Sequence, residues 1–307
     1  MEKLERSFRE RSFLGLGDPM VYAEKRIDAL AAPDVQQGNK KWWTSNTMSY
    51  DWKDRVRLEK FSRQWFDEID RRFLAGARLF SAQENPFYEL METSSLEGKR
   101  VLEIGCGMGF HAELLSRAGA VLTTVDISPT SVEATRARFA VKGLNADIFE
   151  MDAEALAFPD DSFDLVWSWG VIHHSSRTGR IVREIERVLK PGGSVKLMVY
   201  NLGGMSAYLT MMMRYSLKFW SGSSVDEELW RSSDGFTARF YSKDLLADLL
   251  YTFFEHVDIE TFGQEADAIP LPRQLRPIAR LFISNAKQRE LARQRGALLF
   301  AAARKRS

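Results

Sequence analysis

Val101-Leu-Glu-Ile-Gly-Cys-Gly-Met-Gly109 passes through Phe110 into His111-Ala-Glu-Leu-Leu-Ser-Arg117. The apolar run reads as a buried strand, the glycines as a turn, and the residues after them as a helix. A strand, a glycine turn and a helix N-terminus together cradle nucleotides, because glycine allows φ > 0 and close backbone approach while free N–H groups point at the ligand. Gly105, Gly107 and Gly109 form GxGxG, and Phe110 stands where a dinucleotide fingerprint wants its third glycine. That third glycine lets helix and strand pack tightly. Phe110 therefore argues against a dinucleotide ligand.

Downstream of this stretch, strands and helices alternate. Val121–Val125 reads as a second strand ending on Asp126, Ser131–Val141 as a helix, and Ala146–Glu150 as a third strand followed by Asp152. Phe163–Trp167 and Ser194–Tyr200 are predicted as strands four and five. Between them a helix over Arg180–Leu189 is stopped by Lys190-Pro-Gly-Gly193. Such alternation predicts a doubly wound α/β sheet with helices on both faces. Val257–Phe262 and the segment Gly296–Ala303 would complete the sheet, with a basic helix before the latter. Upstream, Phe61, Trp65, Ile69 and Phe73 recur every fourth residue and predict a helix with one apolar stripe. The expected organisation is an N-terminal helical cap over 1–95, a core over 96–202, an insertion over 203–240 and completion of the sheet over 241–307. Trp43, Tyr50 and Trp52 in the cap are candidate lids over a ligand.

At 307 residues, with 45% hydrophobic residues and a formal net charge of +1, the chain can bury a large core and has no global pull toward nucleic acid or membrane. The charge is uneven: from Leu271 onward ten basic residues face Glu290 alone. Such a basic end reads as a solvated helix face or as a contact with an anionic surface. Cys106 is the single cysteine, which excludes an internal disulfide and a cysteine-cluster metal site. The charged N-terminus shows no secretory pattern and no apolar run approaches the roughly 20 residues of a membrane span. A cytoplasmic setting is expected.

In a doubly wound sheet the ligand lies beyond the carboxyl ends of the strands. The glycine loop, Asp126, Asp152 and Ser168-Trp-Gly170 all fall there. Asp126 lies 23 residues after Glu103, close to the offset of about 20 expected of a carboxylate that takes ribose hydroxyls. Together Glu103–Gly109, Asp126-Ile127, Asp152-Ala-Glu154, Phe158–Asp164, Gly170-Val-Ile-His-His174 and Leu189–Gly193 resemble the class I S-adenosylmethionine-dependent methyltransferases. The resemblance is to their small-molecule branch, which includes the quinone-biosynthesis enzymes, and it covers roughly residues 96 to 200. It implies a Rossmann-like seven-stranded sheet of order 3-2-1-4-5-7-6 with strand seven antiparallel. It also implies site roles: Gly105, Cys106, Gly107 and Gly109 approach the methionine moiety and Glu103 orients that end. Asp126 holds the ribose, Ile127 packs on adenine, Asp152 and Ala153 read the adenine edge, and Ser168 and Trp169 line the sulfonium side.

Methyl transfer from a sulfonium requires alignment in a water-poor site and no metal. A hydroxyl acceptor would gain from a general base, for which His174 and, behind it, His173 are the candidates; His111 and His256 are read as structural. The sequence lacks metal-ligand spacings, and Ser168 stands where a magnesium ligand would be expected, so no metal site is assigned. The absence of a Pro-Cys nucleophile context and of an Asn/Asp-Pro-Pro-aromatic motif disfavours nucleic acid as substrate. In the insertion, Met205, Met211, Met212 and Met213 with Tyr208, Tyr215, Phe219 and Trp220 suggest an adaptable apolar wall. Arg214, Lys218 and the basic C-terminal region would then reach an anionic headgroup or membrane surface. The expected activity is methylation of a small, partly apolar or lipid-linked acceptor, with oxygen favoured by the histidine pair. The alternatives are a non-catalytic S-adenosylmethionine-binding regulator or scaffold and an RNA or protein methyltransferase.

Overall fold

A computed structural model describes residues 32–49, 55–215, 229 and 233–307. Helix α1 (Ala32–Ser45), α2 (Arg63–Ala77) and α3 (Phe87–Met91) precede the sheet. The alternating part runs β1 (Arg100–Ile104), α4 (Phe110–Arg117), β2 (Val121–Asp126), α5 (Pro129–Lys142), β3 (Asp147–Glu150), β4 (Phe163–Trp169), α6 (Thr178–Val188) and β5 (Leu189–Asn201). Then come α7 (Met205–Thr210), a π-helical turn (Met211–Tyr215), β6 (Phe240–Tyr241), α8 (Lys243–Tyr251), β7 (Phe254–Phe262), α9 (Glu265–Ala268), α10 (Arg276–Ala279), α11 (Asn285–Arg295) and β8 (Leu298–Lys305).

The strands order β3-β2-β1-β4-β5-β8-β7, with β1 to β5 parallel and β8 antiparallel to both its neighbours. This is the expected order, with one addition. The two-residue β6 pairs with Tyr200 and Asn201 at the carboxyl end of β5. Strand order reverses between β1 and β4, so the crevice forms over the ends of β1, β2 and β4.

Both faces of the parallel strands are buried, which is why their sequences are continuous apolar runs instead of alternating ones. Leu102, Ile104, Val166, Leu197 and Val199 face a core closed by Ile181, Ile185, Leu246 and Leu250. Val101, Leu165, Trp167, Met198 and Phe300 face the other, closed by Phe87, Leu115 and Phe139. Ser62 caps α2, Ser128 caps α5 with Pro129 in its first turn, and Ser242 caps α8, each hydroxyl accepting a first-turn N–H.

Several boundaries depart from expectation. Phe61 lies outside α2, in the left-handed region at φ 67°, while Trp65 and Ile69 are buried. The Lys190–Gly193 stretch continues into β5, with a register shift against β4. The basic helix is two shorter ones, α10 and α11, separated by the turn Arg280–Ser284. The basic end is also split in space. Lys305 lies at the amino end of β5, bonded to Asp161 and to the Leu189 carbonyl, at the opposite end of the sheet from the crevice.

Candidate functional site

The glycine loop is pinned from every side. Gly105 and Cys106 donate to the Val125 carbonyl (2.7 and 3.2 Å) and Gly107 donates to Asp126 Oδ2 at 3.0 Å. Arg138 Nε donates to the Met108 carbonyl at 2.7 Å. Gly105 has φ 86°, and a Cβ there would stand 2.2 Å from a Val171 methyl. No other residue fits at that position without displacing Val171. Gly109, at φ 78°, forms the N-cap of α4 and turns the helix N-terminus toward the crevice.

A cavity opens over this loop. Gly105, Cys106, Gly107, Asp126, Ile127, Asp152, Ala153, Trp169 and His174 line it together. Asp126 is half-buried; Oδ1 accepts from the Ser128 N–H at 2.8 Å, while burial pushes its carboxyl up to about 6 against these donors. Asp152 uses one oxygen for two donors, Gln36 Nε2 at 2.8 Å and the Glu154 N–H at 2.9 Å. A carboxylate offers about four lone-pair sites, so both aspartates retain acceptor capacity. Burial raises the Cys106 thiol well above its ordinary value, reinforced by the Asp126 and Glu103 charges. It is a small inert filler of the loop.

Four residues expected at the site lie behind its wall. Glu103 is buried within β1 and accepts from Thr124 Oγ1 at 2.7 Å. Gly109 serves the helix cap. Ser168 is buried in β4 and donates to the Ile104 carbonyl at 3.3 Å. His173 is fully buried against Tyr200, ring centroids 4.1 Å apart, and burial lowers its basicity far below the usual range.

His174 lies where three parts of the chain meet. Its Nδ1 bonds the Thr237 carbonyl at 2.6 Å, its own carbonyl accepts from Asn39 Nδ2 at 2.6 Å, and Trp43 packs edge-on at 5.0 Å. A ring that donates from Nδ1 to a carbonyl is, when neutral, basic at Nε2. Arg239 ties the same loop down through the Ser175 and Ser176 carbonyls.

On the other wall Trp43, a candidate lid from sequence, lines the cavity, but its neighbours there were missed. Gln36, Asn39 and Met48 come from α1 and the turn beyond it, and Ile69, Asp70 and Phe73 from α2. Ser128 Oγ donates to the Trp43 carbonyl at 3.2 Å, holding the end of α1 over the crevice. Tyr50, Trp52, Lys218, Phe219 and Trp220 fall outside the described residues. The side chains of Arg214 and Tyr215 also lie outside the described part, and of the insertion helices none of the described side chains Met205–Met213 lines the cavity. Among the described residues, Met48, Ile69, Phe73, Phe110 and Trp169 supply an apolar wall beyond the glycine loop.

His111, read from sequence as structural, also lines this cavity. Trp167 Nε1 donates to its Nδ1 at 3.3 Å, so the proton of the neutral ring resides on Nε2. Burial, then the Arg138 charge, lowers its pKa to about 3, and buried Nε2 has no partner among the described residues. A buried donor at a cavity wall calls for an acceptor on the ligand.

Glu103 carries a measurable consequence. Burial, with the Asp126 charge adding to it, raises its pKa to about 8 from 4.5. The folded state thus keeps a proton that the unfolded chain loses. Stability falls as pH rises from about 4.5 to about 8, by at most about 5 kcal/mol. Glu103→Gln is expected to match the parent at pH 4.5 and to exceed its melting temperature at pH 8, in thermal melts of cofactor-free protein. An unchanged pH slope would contradict the buried protonated carboxyl.

Residues 102–197 match the family described as Methyltransferase domain. The chain is 30% identical to the ubiquinone biosynthesis O-methyltransferase of Ralstonia nicotianae, over 48% of this chain and 63% of that protein. It is 32% identical to the fatty-acid O-methyltransferase of Mycolicibacterium smegmatis, over 47% of this chain and 48% of that one. The chain thus spans about half the length of the curated relatives it matches. Among solved structures, a Haemonchus contortus phosphoethanolamine N-methyltransferase 2, solved with phosphomonomethylethanolamine and S-adenosylhomocysteine, superposes with TM-score 0.51 at 19% identity. That match covers 82% of this chain and 61% of the other and concerns the fold alone.

Proposed function

We propose that this chain, whose core belongs to the class I S-adenosylmethionine-dependent methyltransferases, transfers the methyl group of that cofactor to an oxygen of a small, partly apolar acceptor. The observation that carries the reading is the convergence of the glycine loop, Asp126 and Asp152 on one cavity with an apolar far wall. When bound, the cofactor supplies an electrophilic methyl on sulfur, displaced in line by the acceptor.

The protein's part is to bind, orient and exclude water. Asp126 accepts the ribose hydroxyls and Ile127 lies against the adenine. Asp152 takes the adenine amino group, with Gln36 beside it. The Gly105–Gly109 backbone follows the methionine end, and Glu103 behind it holds the loop through Thr124. The His111 Nε2–H fits a carboxylate oxygen of that end and cannot ionise near neutral pH. Trp169, without Ser168, lines the sulfonium side, and Phe73, Phe110 and Met48 form an apolar approach for the acceptor.

His174, at the cavity wall, is the group placed to take a hydroxyl proton through Nε2, whereas His173 acts from behind as packing. His174→Gln is expected to lower kcat by about a hundredfold or more, with the KM for S-adenosylmethionine little changed. A kcat within threefold of the parent would remove the base.

Incubating the protein with cell extract and methyl-labelled S-adenosylmethionine, then partitioning the products, tests the acceptor class. Label in a low-molecular-weight, organic-extractable product supports the reading. Label confined to protein or RNA, or no transfer despite calorimetric binding of the cofactor, overturns it in favour of a macromolecular methyltransferase or a cofactor-binding regulator.

A further inference from the structure

From the end of α9 into the first turns of α11, residues 268 to 289 contain five basic residues and no carboxylate. Its apolar side chains are turned outward to an unusual degree. Leu275 is 47% exposed, Ile278 56%, Leu281 80% and Phe282 84%. Single exposed apolar residues need no explanation, but a cluster of this kind on one short segment marks an interaction surface.

The segment is also firmly founded. Beneath it Leu79, Ile269 and Ala292 are buried, with Ala279 and Ile283 packed against them. The capping box of Gln264 and Asp267 fixes its start, and Ser284 caps the helix that follows. Pro270, Pro272 and Pro277 limit the chain to short turns. Arg280 is neutralised by Glu265, whereas Arg276 directs Nε to the Leu271 carbonyl and Arg273 is exposed, neither with a carboxylate partner among the described residues. A rigid base therefore presents outward-facing leucine, isoleucine and phenylalanine ringed by arginine.

We propose that the surface of Leu275, Ile278, Leu281 and Phe282, with Arg273 and Arg276, docks this protein onto an anionic membrane. Large apolar side chains interleaved with cations match the boundary between headgroups and acyl chains, where the apolar groups enter and the arginines meet lipid phosphates. Arg273 and Arg276 disfavour a basic partner, and an anionic lipid surface supplies phosphates and hydrocarbon side by side over the whole patch. Ser206 Oγ donates to Asp267 Oδ1 at 2.6 Å, joining α7, the start of the insertion after β5, to the foot of this surface. Docking would set α7 beside the lipid. The proposal goes beyond methyl transfer and holds whatever the acceptor is.

The test is co-sedimentation of the whole chain with phosphatidylcholine vesicles, with and without phosphatidylglycerol, at low and high salt. The protein should pellet with the anionic vesicles at low salt and be released by high salt. Arg273→Gln with Arg276→Gln should weaken binding about thirtyfold, from about fivefold per charge. Phe282→Asp should weaken it by at least about tenfold. Both variants should keep the parent's melting temperature and its calorimetric affinity for S-adenosylmethionine. Failure to bind anionic vesicles while the cofactor still binds would overturn this proposal alone. So would variants that bind like the parent, or a parent dimer that Phe282→Asp turns into a monomer. Vesicle binding without cofactor binding would overturn only the proposed function.

Discussion

Asp126→Asn is expected to weaken S-adenosylmethionine binding by about a hundred- to a thousandfold, the loss of two charge-assisted hydrogen bonds. The effect should be large because the side chain does two things at once. It presents an acceptor to the ligand, and it holds the Gly107 and Ser128 N–H groups that shape the pocket. An amide keeps one acceptor oxygen and sets its NH2 against the other donor. The fold itself should tolerate the change, since burial already raises Asp126 to about 6. Losing a half-buried charge offsets losing an acceptor. The pH dependence has a definite sign. The carboxylate form binds, so the parent's affinity should fall as pH drops through about 6, while the variant's should stay flat. Isothermal titration calorimetry between pH 5 and 8 measures both. Equal affinities at pH 7.5 would mean that the ribose does not sit at Asp126.

The largest loss of stability is expected from Arg138→Met, about 3–5 kcal/mol in urea denaturation. The Arg138 guanidinium is completely buried and stacks 4.6 Å from the centre of the Phe66 ring. Nη1 and Nη2 grip Asp70 at 2.8 and 2.6 Å, and Nη1 also meets Glu113 Oε2 at 2.8 Å. Nε supports the Met108 carbonyl of the glycine loop. Burial pushes the Asp70 carboxyl up against the pull of Arg138, whereas Glu113, despite its own burial, is held low by Arg138 and Arg117. Removing the guanidinium strands Asp70 and leaves Glu113 with Arg117 and the more distant Lys142 alone. Adding Asp70→Asn and Glu113→Gln should therefore recover much of the loss. A single-variant cost below about 1 kcal/mol would show that water replaces the arginine. Because Asp70 lies in α2 and Met108 in the loop, the destabilised protein should also bind its cofactor more weakly.

The site was legible where local pattern and chain order decide it. A strand that ends in GxGxG, a carboxylate at the end of β2 and another after β3 need no long-range information to be placed. Side-chain phase along β4 was harder. Ser168 and Trp169 are adjacent, so one must point away from the cavity. Both faces of β4 are buried, and an apolar run without alternation does not reveal which. The tryptophan faces the ligand cavity and the serine faces the core. The α1–α2 wall was harder still. Ile69 and Phe73 obey the spacing of a packing stripe, and nothing local distinguishes a stripe that ends on a core from one that ends on a cavity. Gln36 reaches Asp152 across 116 positions of sequence. The basic end misled for a related reason, since counting charge along the chain cannot show that Arg304, Lys305 and Arg306 belong to the far edge of a strand.

That strand, β8, has an implication for how the molecule is made. It lies between β5 and β7, both of which precede it in the chain. Until β8 emerges, β5 keeps one open edge and β7 has no partner among the described strands. Both are sticky templates in a nascent chain. A slow final insertion is the expected bottleneck in refolding, because the β5 and β8 partners lie about a hundred positions apart. Expression at low temperature or with chaperones should raise the yield of dispersed protein far more than any change to the crevice.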